Sequence, residues 1–164
     1  IILSQQIGFG FYEKGYLKPY DFIHSYLNIP DTSNRDSLFQ AEARRCKNIL
    51  DIVLEFKDDR HFCIFDELYS GTNPDEACCS AYSYLKYLSS HKNINYLLTT
   101  HFINVCERLN NFKNIKNYHM EVNEKEDFKN TYKLKKGISY VRGGIKVLKD
   151  LNYPKDILDI AYSF

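Results

Sequence analysis

The sequence predicts an α/β fold: a parallel sheet with helices between its strands, followed by a C-terminal β-hairpin and a short helical tail. Four observations carry this expectation. His61-Phe-Cys-Ile-Phe-Asp-Glu-Leu68 runs four consecutive apolar residues into two acids, the pattern of a strand buried on both faces that delivers its carboxylates to the carboxyl edge of a parallel sheet. Asn95-Tyr-Leu-Leu-Thr-Thr100 reads as a second buried strand and ends on His101. A helical stretch lies between the two, as parallel crossovers require. Beyond Asn110 the pattern changes to two strands around the acidic turn Glu124-Lys-Glu-Asp127, an antiparallel hairpin.

Along the chain, Ile1 to about Phe9 is a short apolar segment, the end of a helix stopped by Gly8 and Gly10. Asp21 to Ile29 is the best strand in the next stretch, and Pro30 to Asp36 is a polar, turn-rich loop. Asp36 or Ser37 can cap the helix that follows, and Gln40 stands in capping-box position three residues after Ser37. That helix is expected to reach about Phe56, with Phe39, Ala43, Cys46, Leu50 and Val53 as its apolar stripe.

After the central strand, Asn73 is a good N-cap and Pro74 suits the first helical position. Asp75 and Glu76 favour the positive end of the same helix, whose core face is Ala77, Ala81, Tyr84, Leu85 and Leu88. A helix from about Phe102 to Leu109 follows the second buried strand. The hairpin strands are Ile115 to Asn123 and Phe128 to Lys135, closed by Gly137. Gly143-Gly144 opens a loop into a short helix, Ile145 to Leu151, and a last helix begins at Pro154 with Ile157, Ile160, Ala161 and Phe164 on one face.

The length of 164 residues suits one domain with a real core, and 44% hydrophobic and 26% charged residues are ordinary for a soluble globular protein. A net charge of +1 supplies no overall basic field, so any DNA contact is local or lies outside this chain. No stretch approaches a membrane span and no signal-peptide pattern occurs, which points to an intracellular protein. Five cysteines, an odd number without a Cys-x-x-Cys pair, read as reduced and mostly buried small residues, with a zinc site or a nucleophilic thiol as the minority alternative. The chain opens on Ile1 inside an apolar segment, so it is expected to continue upstream. Its abundance of Lys, Asn, Ile and Tyr fits an AT-rich genome such as that of a large DNA virus.

Asp66 sits where a P-loop nucleotidase holds magnesium, and Glu67 where such an enzyme polarises the attacking water. The plainer alternative is a strand ending in two solvated acids. His101 closes the neighbouring strand on the same sheet edge, as a loop-holding structural residue or as a group that senses the γ-phosphate. The helix start at Ser37 has free amides that could receive an anion, although an ordinary cap is the simpler reading. No Gly-x-x-x-x-Gly-Lys-Ser/Thr occurs in the sequence, so these residues alone cannot cradle a triphosphate.

Taken together, Asp36-Ser-Leu-Phe-Gln-Ala-Glu42, Phe65-Asp-Glu-Leu-Tyr-Ser-Gly-Thr72, Thr99-Thr-His-Phe102, Asn117-Tyr-His119 and the tail Gly137-Ile-Ser139, Gly144-Ile-Lys-Val147 and Tyr153-Pro-Lys-Asp-Ile-Leu158 resemble the C-terminal ATPase domain of the MutS DNA mismatch-repair family. The likeness runs over nearly the whole chain with its motifs in order. It implies a P-loop NTPase core of the ABC type, truncated just after the P-loop, working as a dimer with ATP and Mg2+ in sites built from both subunits. By position, the resemblance makes Asp66 the magnesium carboxylate, Glu67 the catalytic carboxylate and His101 a neighbour of the γ-phosphate. It makes Ser37 the signature residue that reaches the partner's nucleotide, with Gly71 and Thr72 in the turn crossing the interface.

The tail, residues 137–164, would pack against the other subunit, and double-stranded DNA would be bound by regions outside this chain. Four positions differ from the family pattern: Asp36 replaces arginine, Leu38 threonine, and Tyr69 and Ser70 a glycine and an arginine. Two function classes follow. One is part of a MutS-like ATPase that couples ATP hydrolysis to binding of mismatched or damaged DNA. The other is a non-catalytic dimerisation scaffold derived from such an enzyme.

Overall fold

The computed structural model describes residues 2–27, 37–123, 129–141 and 143–163. The expected loop of residues 30–36 with Asp36, the hairpin turn of residues 124–127, and Phe164 lie outside the described residues. The chain divides into two compact units, Ile1–Leu109 and Asn110–Phe164.

The first unit is a three-stranded parallel sheet with crossover helices. Its elements are α1 (Ile2–Ile7), β1 (Phe22–Tyr26), α2 (Leu38–Glu55), β2 (His61–Asp66), α3 (Pro74–Ser89), β3 (Ile94–Thr99) and α4 (Ile103–Leu109). The strand order is β1-β2-β3, so the run ending in Asp66 is the middle strand, paired with Phe22–Tyr26 on one side and Ile94–Thr99 on the other. Phe62, Cys63 and Phe65 are buried in it.

Local chemistry sets each boundary. α1 stops at Gly8, whose φ of 79° is cheap only without a Cβ. Gln5 then pins α1 to the chain before β1, accepting from Tyr20 N at 2.8 Å and donating to Tyr20 O at 2.7 Å. α2 starts on the expected capping box: Ser37 Oγ accepts from Gln40 N at 3.3 Å, while Ser37 N donates to Gln40 Oε1 at 3.0 Å. α3 starts on Asn73, whose Oδ1 accepts from Glu76 N at 3.0 Å, with Pro74 at its first position.

The core forms where the faces of α2, α3 and α4 carry Cys46, Ile49, Val53, Ala77, Ala81, Leu85, Leu88, Val105 and Leu109, all buried. The expected stripe of α2 is corrected by this packing. Glu42, Cys46, Ile49 and Val53 are the buried positions, and Ala43 and Leu50 flank them half-buried. β3 is also less enclosed than expected, since its burial alternates and Leu97 is 61% exposed. Only Cys46 and Cys63 of the five cysteines are buried, against the expectation that most would be.

The second unit pairs β4 (Tyr118–Asn123) with β5 (Lys129–Lys136) as an antiparallel hairpin with an irregularity between Met120 and Val122. Residues Ile115–Asn117 precede the first strand rather than belong to it. Gly137, at φ 118°, donates its N–H to Asn117 O at 2.9 Å and closes the hairpin. α5 (Gly143–Asp150) includes both glycines that had been expected to form a loop before it, and α6 (Lys155–Ser163) follows. Among the described residues no helix is long and apolar enough to cross a membrane.

Candidate active site

Parallel pairing places Asp66 opposite Thr99 at the carboxyl edge of the sheet. The Thr99 hydroxyl donates to Asp66 Oδ1, which aims one carboxylate oxygen sideways along the edge. Glu67 prolongs the ladder by one bond, its N–H donating to Thr99 O at 3.0 Å. The chain then turns sharply: Glu67 has φ 51° and Tyr69 φ 62°, left-handed conformations that cost a non-glycine residue about 1–2 kcal/mol each. The burial of Leu68 and Tyr69 holds them there, and strain of this kind gathers where geometry serves function.

His101, two residues past the end of β3, reaches across so that its Nε2 lies 2.7 Å from Glu67 Oε1. Their side chains are 87% and 48% exposed, so the pair faces solvent. Asp66, Glu67 and His101, singled out separately in the sequence, thus share one edge.

Gly71 and Thr72 belong to the turn that meets the start of α2, the helix that Ser37 caps. Gly71 lies directly on the start of α2: a Cβ there would stand 2.6 Å from Leu38 Cγ and 2.8 Å from Phe39 N. Only glycine permits that approach. Ser37 is the residue before Leu38, so the cap and the turn are neighbours. Thr72 Oγ1 donates to Glu76 Oε2 at 2.7 Å, which ties the end of the turn to the first turn of α3.

Three residues that sequence reasoning passed over hold the edge and the turn in place. Thr99 orients Asp66, as above. Glu42, on α2 and 2% exposed, accepts from Ser70 N at 3.0 Å, Ser70 Oγ at 2.9 Å and Gly71 N at 3.0 Å. The Tyr26 phenol, at the end of β1, accepts from Tyr69 N at 3.4 Å. Burial first, and then the nearby Glu42 carboxylate, raise its pKa, so the phenol stays neutral. An acid spaced four residues before Cys46 on a buried stripe was the available signal for Glu42.

Asp66 and Glu67 bring carboxylate oxygens to this edge, donors that suit a hard cation such as magnesium. Among the described residues no cluster of three or more His, Cys, Asp or Glu side chains could cage a metal. A divalent ion here would lean on one or two carboxylates plus water and phosphate oxygens, as magnesium ordinarily does with nucleotides.

The sequence is similar to DNA mismatch repair protein MSH3 of Saccharomyces cerevisiae, at 34% identity over 81% of this chain and 13% of the relative. It is also similar to DNA mismatch repair protein MutS of Persephonella marina, at 26% identity over 99% of this chain and 18% of the relative. MutS protein homolog 4 of Homo sapiens is 29% identical over 78% of this chain and 14% of its own length. The chain therefore spans less than a fifth of these relatives. The family profile of MutS domain V matches residues 1–164, and the chain belongs to that domain of the MutS DNA mismatch-repair family.

Proposed function

We propose that this chain is the greater part of an ABC-type P-loop ATPase domain, which binds and hydrolyses ATP with Mg2+ in a mismatch-repair protein acting as a dimer on DNA. The observation that carries the reading is the 2.7 Å contact between Glu67 Oε1 and His101 Nε2 beside Asp66 on one edge of a parallel sheet. That edge is where α/β proteins place their ligands. The phosphate loop and the DNA-binding regions come from polypeptide outside this sequence, and the tail of residues 137–164 packs against a second MutS-like subunit.

Each residue then has a task. Asp66, oriented by Thr99, would hold magnesium, and the ion would supply neutralisation of the developing phosphate charge. Glu67 accepts a proton from the attacking water as that water approaches the γ-phosphate. His101 orients Glu67 through Nε2, 2.7 Å from Glu67 Oε1. Ser37, with Gly71 and Thr72 behind it, faces the nucleotide of the partner subunit.

The test is Glu67→Gln in the complete polypeptide that carries this chain. The amide keeps the shape and removes the base, so ATP binding should persist while turnover falls by roughly 10²–10⁴-fold. Wild-type turnover in that variant would remove Glu67 from the catalytic role.

A further inference from the structure

We propose that Glu42 is the positioning residue that makes the start of α2 and the turn after the catalytic carboxylate move as one body. The proposal rests on the roles given above to Ser37 and Glu67. Both carboxylate oxygens of Glu42 are committed to that turn, Oε1 to Ser70 N and Oγ and Oε2 to Gly71 N. The side chain is buried, so these bonds act in a low-dielectric setting where a mispaired donor is expensive.

The glycine contact closes the other side of the joint. Gly71 sits on Leu38 and Phe39 N with no room for a methyl group, and Phe39 also packs its ring 5.7 Å from that of Tyr69. Between Glu67 and this joint lie Leu68, Tyr69 and Ser70, and the first two are buried. A shift of Ser37 must therefore drag the turn, and a shift of the turn must reach Glu67 through three residues with little freedom to absorb it. Engagement of Ser37 by a partner's nucleotide and alignment of Glu67 in its own site become one event. Ser70 supplies two of the three donors, so the side chain that stands here in place of the family's arginine completes the clamp.

The experiment compares steady-state ATP turnover and thermal midpoint in the complete polypeptide for Glu42→Gln, Ser70→Ala, Val53→Ala and Glu67→Gln. Glu42→Gln keeps the volume and turns an amide NH2 on donors that need an acceptor. It should lower kcat on the order of a hundredfold, the scale of a small misplacement, while KM for ATP changes by less than about threefold. Ser70→Ala keeps both amide bonds and should lower kcat less, in the same direction. Val53→Ala damages the buried stripe of the same helix away from the turn. It should lower the thermal midpoint and leave kcat near wild type below that midpoint.

Unchanged kcat in Glu42→Gln, or a loss of kcat that Val53→Ala reproduces at equal thermal midpoint, overturns the proposal. If Glu67→Gln turns over like wild type, the functional reading beneath it is what fails. If Glu67→Gln is inactive and folded Glu42→Gln is not impaired, only the positioning role fails. Should Glu42→Gln not fold, Ser70→Ala decides: reduced kcat at unchanged KM supports the clamp, and wild-type kcat removes it.

Discussion

The two units of this chain are built on opposite terms. In Ile1–Leu109 the helices bury their apolar faces on a parallel sheet, and every buried residue among those described belongs to this unit. In Asn110–Phe164 neither α5 nor α6 buries a residue. Val147, Leu151, Ile157 and Ile160 are 55%, 64%, 44% and 67% exposed. The first unit carries its own stability and the candidate site. The second has amphipathic helices that leave these apolar side chains exposed.

Core truncation should show the contrast most strongly. Leu85→Ala removes a fully buried side chain and should cost about 2–5 kcal/mol of unfolding free energy. Ile160→Ala should stay within about 0.5 kcal/mol in the isolated chain. Urea unfolding followed by amide exchange resolves the units, and an equal loss at both sites would show that the second unit has a core of its own.

A finer probe is Tyr69→Gly, which restores the residue usual in the family. Glycine relieves about 1–2 kcal/mol of left-handed strain at φ 62°, but losing a buried aromatic ring costs about 3–5 kcal/mol. Burial wins, so the variant should be net destabilised by about 2 kcal/mol, within the first unit. A stabilised variant would mean that the ring contributes little to the packing around Phe39.

The smallest effect is a pH dependence confined to the first unit. His61 Nε2 donates to Phe56 O at 2.8 Å, so its Nδ1 accepts from His24 Nε2 at 3.0 Å. Burial, then His61 and then Arg45, lower the His24 pKa from its ordinary value of 6.5. The unfolded chain thus takes up a proton more readily than the folded one as pH falls below that value. Stability should be full above about pH 6.5 and decline through the window down to the lowered folded pKa. His24→Gln should flatten that decline, and an unaltered slope would assign it to other groups.

Part of the site was legible without a fold. Asp66 and Glu67 were visible because an apolar run must be a buried strand and the acids at its end must leave the sheet at one edge. Ser37 and Asn73 were visible because capping chemistry is local, decided within three residues. Glu42 was hidden in α2 because its partners, Ser70 and Gly71, are 28 and 29 residues away, and helical periodicity assigns a face but not an address on the neighbouring element. The choice of Ala43 and Leu50 over Glu42 and Ile49 for the α2 stripe failed for a related reason. Hydrophobicity favoured the apolar residues, while the turn offered three donors that made a buried acid favourable.

By itself, then, the sequence determined the order of strands and helices, their caps, and the residue types at the sheet edge, since each depends on neighbours a few positions away. Only the tertiary structure decided that Thr99 aims Asp66, that His101 meets Glu67, that Glu42 clamps the turn to α2, and that the chain divides at Asn110. Those are long-range pairings, settled by strand register and by which buried polar groups find partners, and no local pattern encodes them.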